Sequence, residues 1–396
     1  MSDSEIRIVA DENIPLVEAF FGHLGPIQRA PGRQMQAEQL AQADLLLVRS
    51  VTNVDQQLLA GSSVRYVASA TIGTDHIDRD WLQQQGIGFD NAPGCNAESV
   101  VDYVLSALVN LAAQEGCELT HKRVGIVGVG NVGSRLQRRL ESLGIECLLC
   151  DPPRAEREVS GDEGEEQGFV SLPTLLERCS VFCLHTPLTR EGDHPSYHLF
   201  DDQVLAALPE GAWLINAGRG AVIDNRALLD YLPHRQDLKV VLDVWEPEPA
   251  INPELAAMVE FGTPHIAGYS LEGRTRGTEM IYQGACRFLG IEPRCQLESL
   301  LPSPALGRLE LDSTAQDEKD LVSRLVRLVY DLRRDHHALQ QVLGGAPDQR
   351  APGFDLLRRH YPMRREFSSL KIGGVMPQSG LAQQLQSFGF TLVDAG

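Results

Sequence analysis

Short apolar runs, Ile6 to Ala10, Leu45 to Arg49, Val64 to Ser69 and Ile87 to Phe89, punctuate the first part of the chain, with helix-length segments between them. Strands that alternate with such segments predict a parallel α/β lobe. A Pro-Gly turn, NAPGCN at Asn91 to Asn96, ends it, and Ala97 to Gln114 then reads as one long Val-, Leu- and Ala-rich helix placed to bridge to a second lobe. The pattern next becomes strand, tight turn, helix, strand. Val124, Ile126 and Val127 run into Gly128, Gly130 and Gly133; Leu136, Leu140 and Leu143 follow at helical spacing; Ile145 to Cys150 closes on Asp151. Val181 to Leu184, Trp213 to Asn216, Val240 to Val244 and Val259 to Gly262 read as further strands, and a helix from about Leu271 to Leu289 returns toward the first lobe. Near the end, Asp312-Ser313 can cap a helix running to about Leu343, with Leu321, Leu325, Leu328, Val329 and Leu332 as its apolar stripe. After Gly344-Gly345 a helical piece, Phe354 to His360, and an αβ-like stretch, Leu381 to Val393, complete the chain. The expected fold class is α/β: residues 1–98 and 272–298 form one doubly wound parallel-sheet lobe, 99–271 a second, and 299–396 an α+β module. The stripe on the module's first helix suits packing within the chain or pairing with its copy in a dimer.

The bulk numbers narrow the function. A chain of 396 residues, 43% hydrophobic and 22% charged, suits a globular protein of two or three domains. Its net charge of -19 argues against nucleic-acid binding, since there is no excess of cation to replace phosphate counterions. The N-terminus shows no basic-then-apolar signal and no run has the length of a membrane span, so a cytoplasmic protein is expected. Eight cysteines lie among apolar neighbours and read as small buried hydrophobes. Cys147 and Cys150 form a C-x-x-C, but inside a predicted strand with no second ligand pair, so no metal is expected. The acidic run Glu156 to Gln167 reads as a solvated surface loop.

The glycine-rich turn carries chemistry of its own. Gly128 allows the turn, Gly130 lets backbone N–H groups approach a pyrophosphate at the helix N-terminus, and Gly133 lets helix and strand pack closely. A carboxylate at Asp151 would hydrogen-bond a ribose 2′-hydroxyl and repel a 2′-phosphate, which favours NAD over NADP. In an open parallel sheet ligands bind beyond the carboxyl ends of strands, so His185-Thr186, Asn216 to Gly220 and Asp243 to Glu248 should share a crevice. Three polar residues follow predicted strands: Arg219 in NAGRG, Glu248 in LDVWEPEP and His265 in FGTPHIAG. A histidine with a carboxylate is a proton-transfer pair, and an arginine offers a planar fork for a substrate carboxylate. Hydride removal from a 2-hydroxy acid uses all three functions, with His265 as base, Glu248 as its support and Arg219 as the anchor. His76 and His185 suit structural or cofactor-orienting roles, and His336-His337 an exposed helix. Hydroxyls in RSVT and ATIGT suit a polyol, and Arg49, Arg274 or a C-terminal arginine such as Arg358 could pair with a phosphate.

The segments VGIVGVGNVG, HTPLT, INAGRGAVID, LDVWEPEP and PHIAG resemble, in order and spacing, those of the NAD-dependent D-2-hydroxyacid dehydrogenases. The resemblance covers roughly Ile6 to Gly290. It implies a Rossmann cofactor domain and a flavodoxin-like substrate domain with the active site between lobes, and Arg219, Glu248 and His265 as the catalytic set. It also implies cofactor contacts at Gly128, Gly130, Asn131, Val132, Gly133, Asp151, Thr186, Ala217, Gly218, Arg219, Asp243 and Gly268. SATIGTDHID at Ser69 to Asp78, NAPGCNA at Asn91 to Ala97 and the C-terminal module point to a branch acting on a phosphorylated hydroxy acid. By that likeness Ser50, Thr71 and Tyr269 contact substrate, and the module beyond about Leu300 makes a homodimer. A dehydrogenase of another hydroxy acid, such as a phosphoglycerate, or an NADH-sensing corepressor are the alternatives.

Overall fold

A computed structural model describes residues 5–160, 168–312 and 320–394. The chain divides into two compact units, Met1–Asn96 with Leu271–Ser303, and Ala97–Ser270 with Pro304–Gly396.

The first unit is built on strands β1 (Ile8–Asp11), β2 (Ile27–Ala30), β3 (Leu45–Val48), β4 (Tyr66–Ser69) and β5 (Gly88–Asn91), all parallel, in the order β2-β1-β3-β4-β5. This is the flavodoxin order. Alternate residues feed opposite faces, as strand geometry requires. Ile8, Ala10, Leu45, Leu47, Tyr66 and Ala68 pack with Ile281, Tyr282 and Ala285 of the helix Leu271–Leu289, while Val9, Leu46, Val48 and Val67 pack with Leu40, Leu59 and Leu82. The edge strand β2 was not anticipated. Its sequence, IQRA, has only its last residue fully buried, so no apolar run marks it.

The second unit carries β6 (Val124–Val127), β7 (Cys147–Cys150), β8 (Val181–Leu184), β9 (Trp213–Asn216), β10 (Lys239–Leu242) and β11 (Phe261–Gly262) in the parallel order β11-β10-β9-β8-β6-β7. The order reverses at β6, which is where such sheets bind ligands. Beyond the edge strand β7 the Val170 amide donates to the Leu149 carbonyl at 2.8 Å, a single bond where a further strand would lie. The expected bridging helix, Ala97–Glu115, belongs wholly to this unit and is buried along most of its length, packing Val101, Val104, Leu105 and Leu108 onto one sheet face.

The C-terminal part joins the same core. β12 (Arg308–Glu310), β13 (Lys371–Gly373) and β14 (Thr391–Leu392) form a small parallel sheet, and Phe367, Leu370, Ile372, Leu385 and Phe388 merge with the β6–β11 core. The single long helix expected to Leu343 is two helices, Leu321–Val329 and Leu332–Leu343. Tyr330 between them is extended, and the Asp331 side chain accepts from the Arg333 amide at 3.1 Å, a cap that restarts the helix. The expected cap at Asp312-Ser313 falls partly outside the described residues. Leu321, Leu325 and Leu332 of the stripe are buried within the unit, whereas Leu328 is exposed.

Two further expectations need correction. The acidic run begins as the end of a helix, Pro152–Ser160, because the Asp151 carboxylate takes the Arg154 amide at 3.2 Å and Pro152 suits a first helical turn; residues 161–167 lie outside the described ones. His336 is not an exposed helix residue. Its Nδ1 accepts the Gly262 amide at 2.9 Å and its ring meets Phe261 edge-on, so it tethers the edge of β11. All eight cysteines are free, and burial pushes the Cys147 and Cys150 thiols up to about 12 and about 11, which leaves them protonated at neutral pH. Among the described residues no helix is long and apolar enough to cross a membrane.

Candidate active site

β6 ends in a turn that only glycine fits. Gly128 has φ 86°, and a Cβ there would stand 2.7 Å from the Thr186 amide nitrogen, so the turn lies directly on the end of β8. A Cβ on Gly133 would meet the Gly128 carbonyl oxygen at 2.2 Å, whereas one on Gly130 would meet open space. The loop is pinned from β7: Asp151 Oδ2 accepts the Val129 amide at 2.8 Å, and Arg154 Nη1 donates to the Val129 carbonyl at 2.6 Å. Asn131 is exposed and Val132 half-buried at the start of the helix Gly133–Ser142. The Thr186 hydroxyl is buried without a hydrogen-bond partner in the structure, on the residue whose backbone abuts Gly128. A cradle open at Gly130, closed against side chains at Gly128, and lined by an unused donor fits a dinucleotide.

His185, beside Thr186, has both ring nitrogens buried and unpartnered, and burial pushes its pKa down to about 4. Above about pH 6.5 the ring is neutral in both folded and unfolded chain; below that the unfolded chain binds the proton and the folded one does not, so stability falls with pH until about 4. The folded protein should therefore lose about 2 kcal/mol between pH 7 and pH 5 through this residue. Urea unfolding of wild type and His185→Asn at both pH values checks it: the variant should lack that part of the acid sensitivity.

Arg219, Glu248 and His265 stand on loops following β9, β10 and β11. Asn216, the last residue of β9, shapes its turn with both ends of its amide: Nδ2 donates to the Arg219 carbonyl at 2.9 Å and Oδ1 accepts the Gly218 amide at 3.0 Å. Arg219 itself is exposed, with Nη1 on the Gly218 carbonyl at 2.9 Å. Ala217 and Gly218 are half-buried, and a Cβ on Gly218 would come within 3.1 Å of the Leu184 carbonyl oxygen, so this turn rests on the end of β8.

The loops are knitted together at Trp245. A Cβ on Gly220 would meet the Trp245 carbonyl oxygen at 1.9 Å, the Trp245 amide donates to Glu248 Oε1 at 2.9 Å, and its indole Nε1 donates to the Thr263 carbonyl at 2.9 Å. Glu248 Oε2 then pairs with His265 Nδ1 at 2.7 Å. One carboxylate oxygen is thus fixed by backbone while the other orients the imidazole. His265 has φ 55°, a left-handed conformation that costs a non-glycine residue about 1–2 kcal/mol and that its surroundings must enforce.

Asp243 supplies part of that enforcement. It is buried, and its Oδ1 accepts the Thr263 hydroxyl at 2.6 Å and the Ile266 amide at 2.8 Å, its Oδ2 the Ala267 amide at 2.9 Å. Burial pushes its carboxyl above the ordinary range, opposed by His265 and these donors. Both oxygens are committed to the His265 loop. Gly268 and Tyr269 continue that loop, and the Tyr269 hydroxyl accepts from Arg358 Nη2 at 3.2 Å.

In the first unit Ser50 is exposed just beyond β3. Thr71, beyond β4, shares a hydrogen bond of 2.7 Å with Ser69, which also reaches His76 Nε2 at 3.0 Å. Of the candidate arginines, Arg49 pairs with Asp11 at 3.2 Å and Arg274 is exposed on the helix Leu271–Leu289. Sequence reasoning missed Asn216 and Trp245 as organisers. An Asn ending an apolar strand before A-G-R-G is a turn signal that could have marked the first; nothing in the pattern marks the second.

The model of the D-isomer specific 2-hydroxyacid dehydrogenase NAD-binding domain matches residues 105–267, and a domain of unknown function matches residues 300–389. Erythronate-4-phosphate dehydrogenase of Chromohalobacter salexigens is 52% identical over 97% of this chain and 98% of its own. The proteins of that name from Marinobacter nauticus and Pseudomonas syringae are 53% and 52% identical, over 97% and 98% of this chain and 99% and 100% of theirs. Among solved structures, NAD-bound 3-phosphoglycerate dehydrogenase of Entamoeba histolytica is similar in fold, with a TM-score of 0.59 and 24% identity over 72% of this chain and 96% of that one. D-lactate dehydrogenase of Aquifex aeolicus aligns with a TM-score of 0.56 and 23% identity over 72% of this chain and 95% of its own.

Proposed function

Because the chain belongs to the erythronate-4-phosphate dehydrogenase family, we infer that it oxidises the C2 hydroxyl of (R)-4-phosphoerythronate to 2-oxo-3-hydroxy-4-phosphobutanoate with NAD, a step toward pyridoxal 5′-phosphate. The observation that carries the reading is identity of about half over nearly the whole of both chains, and the Glu248–His265 pair at 2.7 Å supports it.

The chemistry follows from which atoms are free. His265 Nδ1 is held by Glu248, so the proton sits on Nδ1 and Nε2 is the basic nitrogen. Nε2 takes the C2 hydroxyl proton, and the Glu248 carboxylate balances the imidazolium that forms. The exposed guanidinium of Arg219 holds the substrate carboxylate and polarises the adjacent C2 centre. NAD, when bound, supplies the hydride acceptor. Backbone groups from Gly128 to Gly133, with Thr186, Ala217, Gly218 and Gly268, would hold it, and Asp151 would take the ribose hydroxyls. Asp243 belongs to this set through the loop it fixes. Ser50, Thr71 and Tyr269 would bind the substrate's hydroxyl and carboxylate groups.

Arg358 is the candidate for the 4-phosphate. It reaches Tyr269 from the helix Pro347–Arg359, and its Nε is buried with no hydrogen-bond partner in the structure. Arg358→Met should raise KM for 4-phosphoerythronate by about 10–100-fold, the worth of one charge-assisted bond, and leave KM for NAD unchanged. Steady-state kinetics with each substrate varied in turn checks it.

Self-association through the C-terminal part is a further element of the proposal, supported by the exposed Leu328, Leu356 and Met363 there; light scattering on the eluting protein measures it. A cytoplasmic location is part of the same reading. NADH formation from 4-phosphoerythronate, erythronate, 3-phosphoglycerate and lactate tests the whole. The phosphorylated four-carbon acid should give the highest kcat/KM; preference for lactate or 3-phosphoglycerate would leave a dehydrogenase of different substrate, and no turnover with any would favour an NADH-sensing role.

A further inference from the structure

The loop from Thr263 to Ser270 is gripped along its amides by the Asp243 carboxylate, as described above. Its carbonyls have a grip of their own, and it comes from the distant C-terminal part of the chain. Arg364, only 3% exposed, donates from Nη2 to the Ala267 carbonyl at 3.0 Å and from Nη1 to the Ile266 carbonyl at 3.4 Å. Nη2 also donates to the Ser99 carbonyl at the start of the helix Ala97–Glu115, and Arg364 bridges backbone to Ser270. The guanidinium lies over the Tyr330 ring, 4.0 Å from its centroid. Neighbouring carboxylates are near: Glu366 accepts from Ser99 and Ser270 hydroxyls at 2.9 and 3.2 Å, and Asp102 takes the Phe367 amide at 2.8 Å.

A carboxylate on the amides and a guanidinium on the carbonyls of the same two residues, Ile266 and Ala267, hold the Ile266–Ala267 peptide plane from both edges and the planes before and after it from one edge each. Those planes set where the imidazole, itself held in a left-handed backbone, can point. An ammonium in place of the guanidinium is a single point donor and cannot span both loop carbonyls and Ser99 at once.

We propose that Arg364 is a positioning residue for the reaction, acting through the Ile266 and Ala267 carbonyls to hold His265 on Glu248, so that the C-terminal part completes the active site of its own chain. The inference rests on the reading of His265 as the base. Small displacements of a catalytic group carry large rate penalties, so Arg364→Lys, which keeps the buried cation, should lower kcat by about 10–100-fold. KM for NAD and NADH affinity should stay close to wild type, while the thermal midpoint falls through the carbonyl bonds that lysine cannot make.

The decisive readout is a double-mutant cycle with His265→Ala. If Arg364 acts through His265, Arg364→Lys lowers kcat in the wild-type background and has no further effect on the residual rate of His265→Ala. Unchanged kcat in Arg364→Lys overturns the proposal, as does an equal loss in both backgrounds. Failure of the lysine variant to fold, or parallel loss of kcat, NADH affinity and stability, also overturns it by assigning Arg364 to the fold alone. Absence of turnover by the wild-type protein would instead remove the reading of His265 beneath it, so the two failures are distinguishable.

Discussion

Replacement of His265 by alanine is expected to lower kcat for 4-phosphoerythronate by about 10²–10⁴-fold, the range for loss of a general base. The reason lies in how completely the ring's roles are divided. Nδ1 is spoken for by Glu248 at 2.7 Å, the other Glu248 oxygen is fixed by the Trp245 amide at 2.9 Å, and the residue is still 35% exposed on its side chain, leaving Nε2 as the atom open to substrate. Neither of the other two residues of the set can substitute for it: Glu248 loses its partner, and a guanidinium offers donors but no acceptor for the proton. NADH affinity should be nearly unaffected, because the glycine turn, Asp151 and Thr186 lie just beyond β6, β7 and β8, on other loops. Transient kinetics with NADH fluorescence separates the two quantities. Unchanged turnover would exclude His265 as the base.

The second large effect is expected at Asp243→Ala. Three donors, the Thr263 hydroxyl and the Ile266 and Ala267 amides, would lose their acceptor inside a buried site, at a cost on the order of 4 kcal/mol in unfolding free energy. The Thr263 hydroxyl also accepts from Tyr103 at 2.8 Å, so the damage spreads to the helix Ala97–Glu115. Activity should fall with stability, because the loop that holds His265 loses the grip on its amides. Denaturant unfolding and kcat measured on the same preparation check both. If NADH affinity alone fell, with stability and kcat at saturating NAD intact, the residue would act on the cofactor directly.

The parts legible in the sequence were those whose burial leaves a period. β8 and β9 fell where their apolar runs ended, because central parallel strands are buried on both faces and read as continuous hydrophobic stretches. The glycine turn was legible because Gly128 and Gly133 are excluded from bearing a side chain by backbone atoms at 2.7 and 2.2 Å. The edge strand β2 left no such mark, since only the last residue of IQRA is buried. The break at Tyr330-Asp331 was hidden by an apolar stripe that continues at Leu332 even though the helix restarts. Long-range polar contacts were illegible for a different reason. His336 on Gly262 and Arg364 on Ala267 join residues far apart in sequence, and a single histidine or arginine in a charged stretch carries no information about which backbone it will meet. The Glu248–His265 pair was legible as a base and its supporting carboxylate after two strands; its geometry comes from Trp245 and Asp243, which bring the loops together.

A redox step at C2 of a phosphorylated hydroxy acid is tested most directly by the fate of one hydrogen atom. Incubation with NAD and 4-phosphoerythronate deuterated at C2 should give the 2-oxo acid together with reduced coenzyme carrying the deuterium, detected by mass spectrometry in equimolar amount. Unlabelled reduced coenzyme, with deuterium released to water, would contradict hydride transfer and with it the roles assigned to Arg219, Glu248 and His265.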